Sequence, residues 1–350
     1  MHHTSFLRVS FLVRDTSLRA PRVSAVKRIA CLCLPLPRYN PPMPAATRIL
    51  RIGTSAFTAA GWPGTFYPAG CQPADYLTYY ATRFDTVEID STYYRTPSLA
   101  TVRGWARKTP PDFIFAAKVP QSITHEKVLV NCDEEFQQFV ETMDGLGEKL
   151  GPLLLQFPYF NQKKFKSVNE FLAVLVPFLK KLPRDHKFAL EIRNKNWIVP
   201  QFMDALRERN VAFTLVDQSW MPRPAEIFAR LDPITADFLY VRLLGDRKGI
   251  EELTKTWDKT IIDRDKDLKE WATLLARVRR QMHIFLFANN HYAGHAPATV
   301  ERFLELWRKL VGDAHMGCAQ PDRARSAAAL QAQVKDEPPK APEKKDRRLF

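Results

Sequence analysis

Along most of the chain, short apolar runs alternate with longer stretches whose hydrophobic residues recur every three or four positions. The short runs are rich in β-branched and aromatic residues and read as strands. They are ILRIGTS (49–55), FDTVEID (84–90), FIFAAKV (113–119), PLLLQFP (152–158), KFALEIR (187–193), VAFTLVD (211–217), FLYVRLL (238–244) and HIFLFAN (283–289). Between them, ADYLTYYATRF, SLATVRGWARK, EEFQQFVETMDGLGEKL and VNEFLAVLVPFLKKL carry the spacing of amphipathic helices. FMDALRERN, DKDLKEWATLLARVRRQ and ATVERFLELWRKLV do the same, and the gap between the sixth and seventh strands is weak in helix signal.

Strand and helix in turn, eight times over about 250 residues, is the pattern of an α/β fold of the (β/α)8 type, the TIM barrel, because right-handed crossovers close a parallel sheet at that count. An open doubly wound sheet would want a Gly-rich phosphate turn after its first strand. Here the first strand runs into SAFTAAGWPGTFYPAG, a long aromatic loop. The pattern predicts one barrel domain over 47–315, with disordered extensions at 1–46 and 316–350.

Charge sharpens that division. Of the net charge of +14, residues 1–43 carry +6 and residues 319–350 carry +3, which leaves +5 on 44–318. The basicity sits in the ends, which weakens a nucleic-acid reading without removing it. Residues 1–42 are Arg-rich and almost free of acids, the composition of an organellar transit peptide. An over-extended start with Met43 as the true initiator is the alternative. The tail is polar, Pro-rich and charged, too poor in apolar surface to fold. No apolar run approaches the roughly 18 residues of a membrane span. Five cysteines without CxxC spacing read as reduced thiols, which points to the cytoplasm, or to an organelle if the leader is genuine, and away from zinc.

Barrel enzymes keep their chemistry at the C-terminal ends of the strands. There the second strand offers Glu88 and Asp90, the third Lys118, the fourth Gln156 and the fifth Glu191 and Arg193. The sixth ends with Asp217, the seventh holds Arg242, and the eighth runs into Asn289-Asn290-His291. Four carboxylates thus face three permanent cations, and charges drawn out of water must compensate one another or a ligand. The plain alternative is a self-satisfied ionic lattice that ties the strand ends together. Lysine and arginine at such a mouth form a receptor for phosphate or carboxylate. Glu88 and Glu191 can divide acid and base roles, and Lys118 can form a Schiff base if its pKa is low enough. Four carboxylates also admit a divalent cation, but three cations already oppose them, so a metal is not favoured. Trp62, Phe66, Tyr67, Tyr93, Tyr94 and Trp197 are candidates to cap a pocket, or simply pack the loops. His125 and His291 are candidate proton carriers or plain polar contacts.

Taken together, RIGTSAFTAAGWPGTFYP, FDTVEIDSTYYRTPS, TPPDFIFAAKVPQSITHEK, LGPLLLQFP, FALEIRNKNW and FANNHYAGHAPATV resemble the successive blocks of the domain of unknown function 72 family, the YecE-like proteins. The resemblance covers residues 51 to 310 and implies a TIM-type barrel, matching the strand count. It implies no settled reaction, although the family has been likened to sugar isomerases. Its motif positions fall on Glu88, Ser91, Tyr93, Lys118, His125, Gln156 and Pro158, then on Glu191, Arg193, Trp197, Asn289, Asn290 and His291. This chain departs at Ala56-Phe57, where the family usually has Gly-Trp, and at Asp90, where Asn is frequent.

The expected activity is acid–base chemistry by Glu88, Lys118, Glu191 and Asp217 on a small anionic or polyhydroxylated substrate, of the isomerase, lyase or hydrolase type. Asp90, Tyr93, Gln156, Arg193, Trp197, Arg242, Asn289, Asn290 and His291 would bind that substrate. A non-catalytic ligand-binding barrel and a nucleic-acid-processing barrel are the alternatives.

Overall fold

The computed structural model describes residues 50–278 and 282–312, so the predicted extensions and the first residue of the first predicted strand lie outside the described part. The strands are β1 (Leu50–Thr54), β2 (Thr86–Ile89), β3 (Ile114–Lys118), β4 (Leu150–Gln156), β5 (Phe188–Glu191), β6 (Val211–Gln218), β7 (Phe238–Gly245) and β8 (His283–Ala288). Every pairing is parallel, and the ladder order runs β1-β8-β7-β6-β5-β4-β3-β2. A helix follows each strand: α1 (Tyr76–Arg83), α2 (Leu99–Arg107), α3 (Asp133–Met143), α4 (Val168–Lys181), α5 (Pro200–Arg207) and α6 (Pro224–Arg230). Two helices, α7 (Arg247–Leu253) and α8 (Asp265–Val278), separate β7 from β8, and α9 (Asn290–Ala293) and α10 (Ala296–Val311) complete the jacket. The weak segment between β6 and β7 does fold, as the seven-residue α6 with Pro224 opening its first turn.

The apolar residues separate by parity into two compartments. One strand face packs with the helices: Val87 and Ile89 of β2, Leu190 of β5, and Leu239, Val241 and Leu243 of β7 belong to that large cluster. The other face fills the barrel, where Ala116, Leu154, Ala189 and Ala212 meet the bulky Phe238, Tyr240, Phe285 and Phe287. Small residues on one side of the cylinder leave room for aromatic rings from the other.

Closure between β1 and β2, the two ends of the ladder, depends on side chains. The Thr54 amide donates to the Tyr80 hydroxyl at 2.8 Å, and that hydroxyl donates to the Thr86 carbonyl at 3.1 Å. The Ile52 amide donates to the Asp85 carboxylate at 3.3 Å. Tyr80, wholly buried on α1, thus relays between the two strands. Gly53 permits the approach: a Cβ there would stand 1.9 Å from the Thr86 carbonyl oxygen and 2.8 Å from the Tyr80 hydroxyl.

The first loop folds down instead of capping the mouth. Trp62, Phe66 and Tyr67 are buried, and Tyr67 stacks on Tyr76 at the head of α1 with centroids 4.0 Å apart. At the Ala56-Phe57 departure the backbone holds the turn, with Tyr67 donating to the Phe57 carbonyl and Thr54 to the Ala56 carbonyl. Among the described residues no helix is long and apolar enough to cross a membrane.

Candidate functional site

Interior parity carries Glu88, Lys118, Glu191, Tyr240 and Arg242 to the C-terminal mouth of the barrel. The Arg242 guanidinium spans it. Its Nε and Nη2 donate to Glu88 Oε1 at 3.1 and 2.7 Å, and its Nη1 donates to Glu191 Oε2 at 2.8 Å. Tyr240 donates to the other Glu88 oxygen at 2.6 Å. Glu191 Oε1 pairs with Arg193 Nη2 at 2.5 Å, and Arg193 Nη1 donates to Gln218. Beside this lattice Lys118 pairs with Asp90 at 3.1 Å and lies 4.1 Å from the centre of the Tyr93 ring. The Tyr93 ring meets His125 edge-on at 5.1 Å. Glu88, Asp90 and Glu191 therefore stand against Lys118, Arg193 and Arg242, three charges against three.

Burial and charge pull in opposite directions here. Burial pushes the Glu191 carboxyl up, but Arg193, Arg242 and Lys118 outweigh it and hold it below the usual range, so it is ionised at neutral pH. Burial alone would favour a neutral Arg242, yet Glu88 and Glu191 keep it charged. Burial and then the Glu88 charge push the Tyr240 phenol well up, so it stays a hydrogen-bond donor. Neither glutamate has exposed surface; Glu88 Oε1 and Glu191 Oε2 are bonded to Arg242, while Glu191 Oε1, ion-paired with Arg193, accepts no hydrogen bond among the described residues. Arg242 holds both carboxylates in place across the mouth.

His125 has the opposite character. Burial, then the charges of Lys118 and Arg193, lower its pKa to about 4, so the ring is neutral at pH 7. Its Nδ1 sits 2.9 Å from the Thr124 hydroxyl, and no partner of its Nε2 is found among the described residues. The loop that carries it is unusual: Ser122–Glu126 forms a π-helical turn, and Val128 and Leu129 follow with φ of 47° and 64°. Left-handed backbone at a β-branched residue is strained. Burial of Val128 and Leu129 and the Leu129 amide bond to the Ile123 carbonyl hold it in place. Strain of this kind collects at functional sites.

Arg193 is the lattice member that also reaches a cleft, a space of about 390 Å³ bounded by the loops after β4, β5 and β6. Its Nε is buried without a partner among the described residues.

Several predicted positions lie elsewhere. Asp217 is not at the mouth. Interior parity on β6 belongs to Ala212 and Thr214, so Asp217 faces the jacket, where it accepts from Trp271 Nε1 at 2.7 Å and Tyr292 at 3.0 Å and pairs with Arg223. It is removed from the catalytic set, since a carboxylate walled off behind the sheet cannot meet a substrate. Asn290 is removed from the binding set too, because its Oδ1 accepts from Trp62 Nε1 and the Ala296 amide and so ties the first loop to α10. Gln156 keeps interior parity and donates to the neighbouring Phe157 carbonyl. Trp197 is buried against Phe160 and Phe171 and presents part of its ring to the cleft. Asn289 and His291 form a separate rim group with His291 Nε2 2.9 Å from Glu251. Sequence reasoning missed Tyr240 and Gln218. The shared parity of Tyr240 and Arg242 in FLYVRLL was the available signal for the first, and Gln218 lies one residue past the predicted strand. Among the described residues there is no cluster of three metal-ligating side chains.

The model for the family described as "Protein of unknown function DUF72" matches residues 51–325. The chain is 26% identical to the UPF0759 protein YunF of Bacillus subtilis over 270 residues, 70% of this chain and 92% of that protein. It is 32% identical to the UPF0759 protein YecE of Escherichia coli over 127 residues, 36% of this chain. That match spans 42% of the YecE length. A crystal structure of a DUF72 family protein from Thermotoga maritima is similar at a TM-score of 0.57 and 28% identity, covering 76% of this chain and all of the other. One from Enterococcus faecalis shares the fold at a TM-score of 0.56 and 20% identity, covering 74% and 95%. The family model covers more than three quarters of the sequence, so the chain belongs to the DUF72 family.

Proposed function

We propose that the protein is an enzyme of acid–base chemistry on a small anionic substrate, with Lys118 and Arg193 receiving the anion and His125 carrying the proton. The observation that supports this most is a neutral histidine on a strained turn, lowered by burial and by those two cations. An anionic substrate between Lys118 and Arg193 would screen both charges and let the His125 pKa climb toward neutrality. A base is most effective near the working pH, so the substrate itself arms the group that attacks it. Glu88, Glu191, Arg242 and Tyr240 are positioning residues that fix Arg193 against the cleft. Proton abstraction next to a carbonyl is the reaction class this arrangement suits best.

One observation favours a second reading. Both glutamates are already ion-paired with Arg242, which also suits a binding barrel without turnover.

The test is a thermal-shift screen of sugar phosphates and hydroxy acids, followed by NMR detection of deuterium uptake from D2O. A compound at 100 times its Kd adds about 2.7 kcal/mol, or roughly 5–10 °C for a domain of this size. That shift is expected to vanish in Arg193→Ala. His125→Asn is expected to keep the shift and lose the exchange. Exchange at the wild-type rate in His125→Asn overturns the proposed base, and ligand shifts without exchange in any protein select the binding barrel.

A further inference from the structure

We infer that the cleft beside Arg193 is a mononucleotide site, with the base on Trp220 and the phosphate against Arg193 and Lys195. This deepens the reading that Arg193 receives an anion and rests on it.

The cleft holds about 390 Å³, within the ordinary range of small-molecule sites. Its lining is one-sided in charge: Lys166, Arg193 and Lys195 contribute cations, and no carboxylate lines it. Arg193 is opposed from behind by Glu191, whereas Lys166 and Lys195 have no ion-pair partner among the described residues. An anion is the ligand such walls favour.

The rest of the lining decides what the anion is attached to. A polyol needs acceptors for its hydroxyl hydrogens, and those come mainly from carboxylates and amides. Here carboxylates are missing, and the Asn194 amide is already used, accepting from the Phe160 amide and donating to the Phe160 carbonyl, which leaves the Gln162 and Asn196 amides for the hydroxyls of a single sugar. Much of the remaining surface on offer is aromatic. Trp197 forms part of the wall, while Tyr159 and Trp220 stand at the edges with 68% and 49% of their surface in water. Trp220 packs against no other ring among the described residues. Large rings left wet beside a cationic cleft match a planar heteroaromatic group, which stacks on either ring whatever its hydrogen-bonding edge. A base joined through ribose to phosphate unites the two halves of the lining in one ligand.

The chain reports on this site itself. Of its seven tryptophans, Trp220 is the exposed one, so its fluorescence can be followed against four buried and two half-buried indoles. The full chain is titrated with AMP, UMP, ribose 5-phosphate, adenosine and inorganic phosphate. Binding is read by Trp220 quenching, and by calorimetry for variants that lack the indole. AMP is expected to quench Trp220 and to bind at least about tenfold more tightly than ribose 5-phosphate, the share that base stacking contributes. In Trp220→Leu, whose thermal midpoint should match the wild type, that tenfold advantage is expected to vanish. Lys195→Glu is expected to weaken AMP and ribose 5-phosphate by the same factor. Equal binding of AMP, UMP and ribose 5-phosphate overturns the nucleotide assignment and leaves the anion receptor standing. An undiminished advantage in Trp220→Leu likewise overturns it. Absence of binding by every phosphate compound removes both. A short single-stranded oligonucleotide without a terminal phosphate that competes as well as AMP would move the site from free nucleotides to nucleic acid, overturning the assignment as stated.

Discussion

Replacing Arg242 by methionine should be among the most destabilising changes available to this barrel. Arg242 is 3% exposed and makes three hydrogen bonds to two carboxylates that have no exposed surface. Met keeps much of the volume and removes the charge, so packing loss is secondary. What remains is Glu88 with the Tyr240 hydroxyl alone and Glu191 with Arg193 alone. Breaking a buried pair from one side costs about 3–5 kcal/mol, because a buried charge is left uncompensated. For a domain of this length that corresponds to a fall of roughly 6–20 °C in thermal midpoint. Against a total stability of about 5–15 kcal/mol, the variant can be marginal at 37 °C. The cost should shrink as pH falls from 7 to 5, because the stranded carboxyls can then take up protons. The triple variant Glu88→Gln, Glu191→Gln, Arg242→Met has no charge to strand and should recover more than half of the loss. Urea denaturation followed by far-UV circular dichroism at both pH values measures all of this. A loss under about 1 kcal/mol in Arg242→Met, or a triple variant no more stable than the single one, would refute the ion lattice as a coupled unit.

Three further outcomes follow from the same geometry. Asp217→Ala leaves the buried Trp271 and Tyr292 donors without their acceptor, so it should cost about 2–3 kcal/mol in urea denaturation while leaving ligand shifts unchanged. A loss of ligand binding at unchanged stability would return Asp217 to the mouth. Tyr80→Phe removes the relay between the Thr54 amide and the Thr86 carbonyl and should cost about 2–4 kcal/mol by the same measure; an unchanged midpoint would show that the strands close without it. His125 takes up its proton at about pH 4 when folded against 6.5 for the ordinary group, so the stability it contributes is complete above 6.5 and drains away as pH falls to 4. Discounted for partial exposure, that is about 1–2 kcal/mol, and His125→Asn should lose that much less than the wild type between pH 7 and 4.5 in chemical denaturation. Identical acid sensitivity of the two proteins would mean that the ring is solvated.

The barrel was legible because eight strands and their helices announce themselves by period, and because Glu88, Glu191 and Arg242 sit on strands whose apolar partners alternate with them. The same parity argument broke down at Asp217. In VAFTLVD both strand faces are buried, one by the jacket and one by the interior, so the apolar run carries no alternation to choose between them. The ladder with β7 is irregular between Asp217 and Gln218, and Gln218, not Asp217, turns to Arg193. Tyr240 hid for a related reason, since an aromatic residue in a strand is ordinarily packing and nothing local marks its hydroxyl as a carboxylate partner. The setting of His125 depends on a π-helical turn and on Val128 and Leu129 adopting left-handed backbone, which non-glycine residues do not advertise. Asn290 shows the limit of motif reasoning: its surroundings are distinctive, yet its amide serves the fold.

The seam at Tyr80 also governs how the cylinder opens. Seven junctions are hydrogen-bonded ladders, whereas the eighth is stitched by the Tyr80 phenol, which leaves with α1, and by the Asp85 carboxylate just before β2. Whenever that helix lifts, the wall parts between its first two staves and the Thr54 amide meets solvent. Hydrogen exchange at Thr54 should therefore track the undocking of α1 and run ahead of the central amides of β7, giving the molecule a built-in unzipping point at this seam.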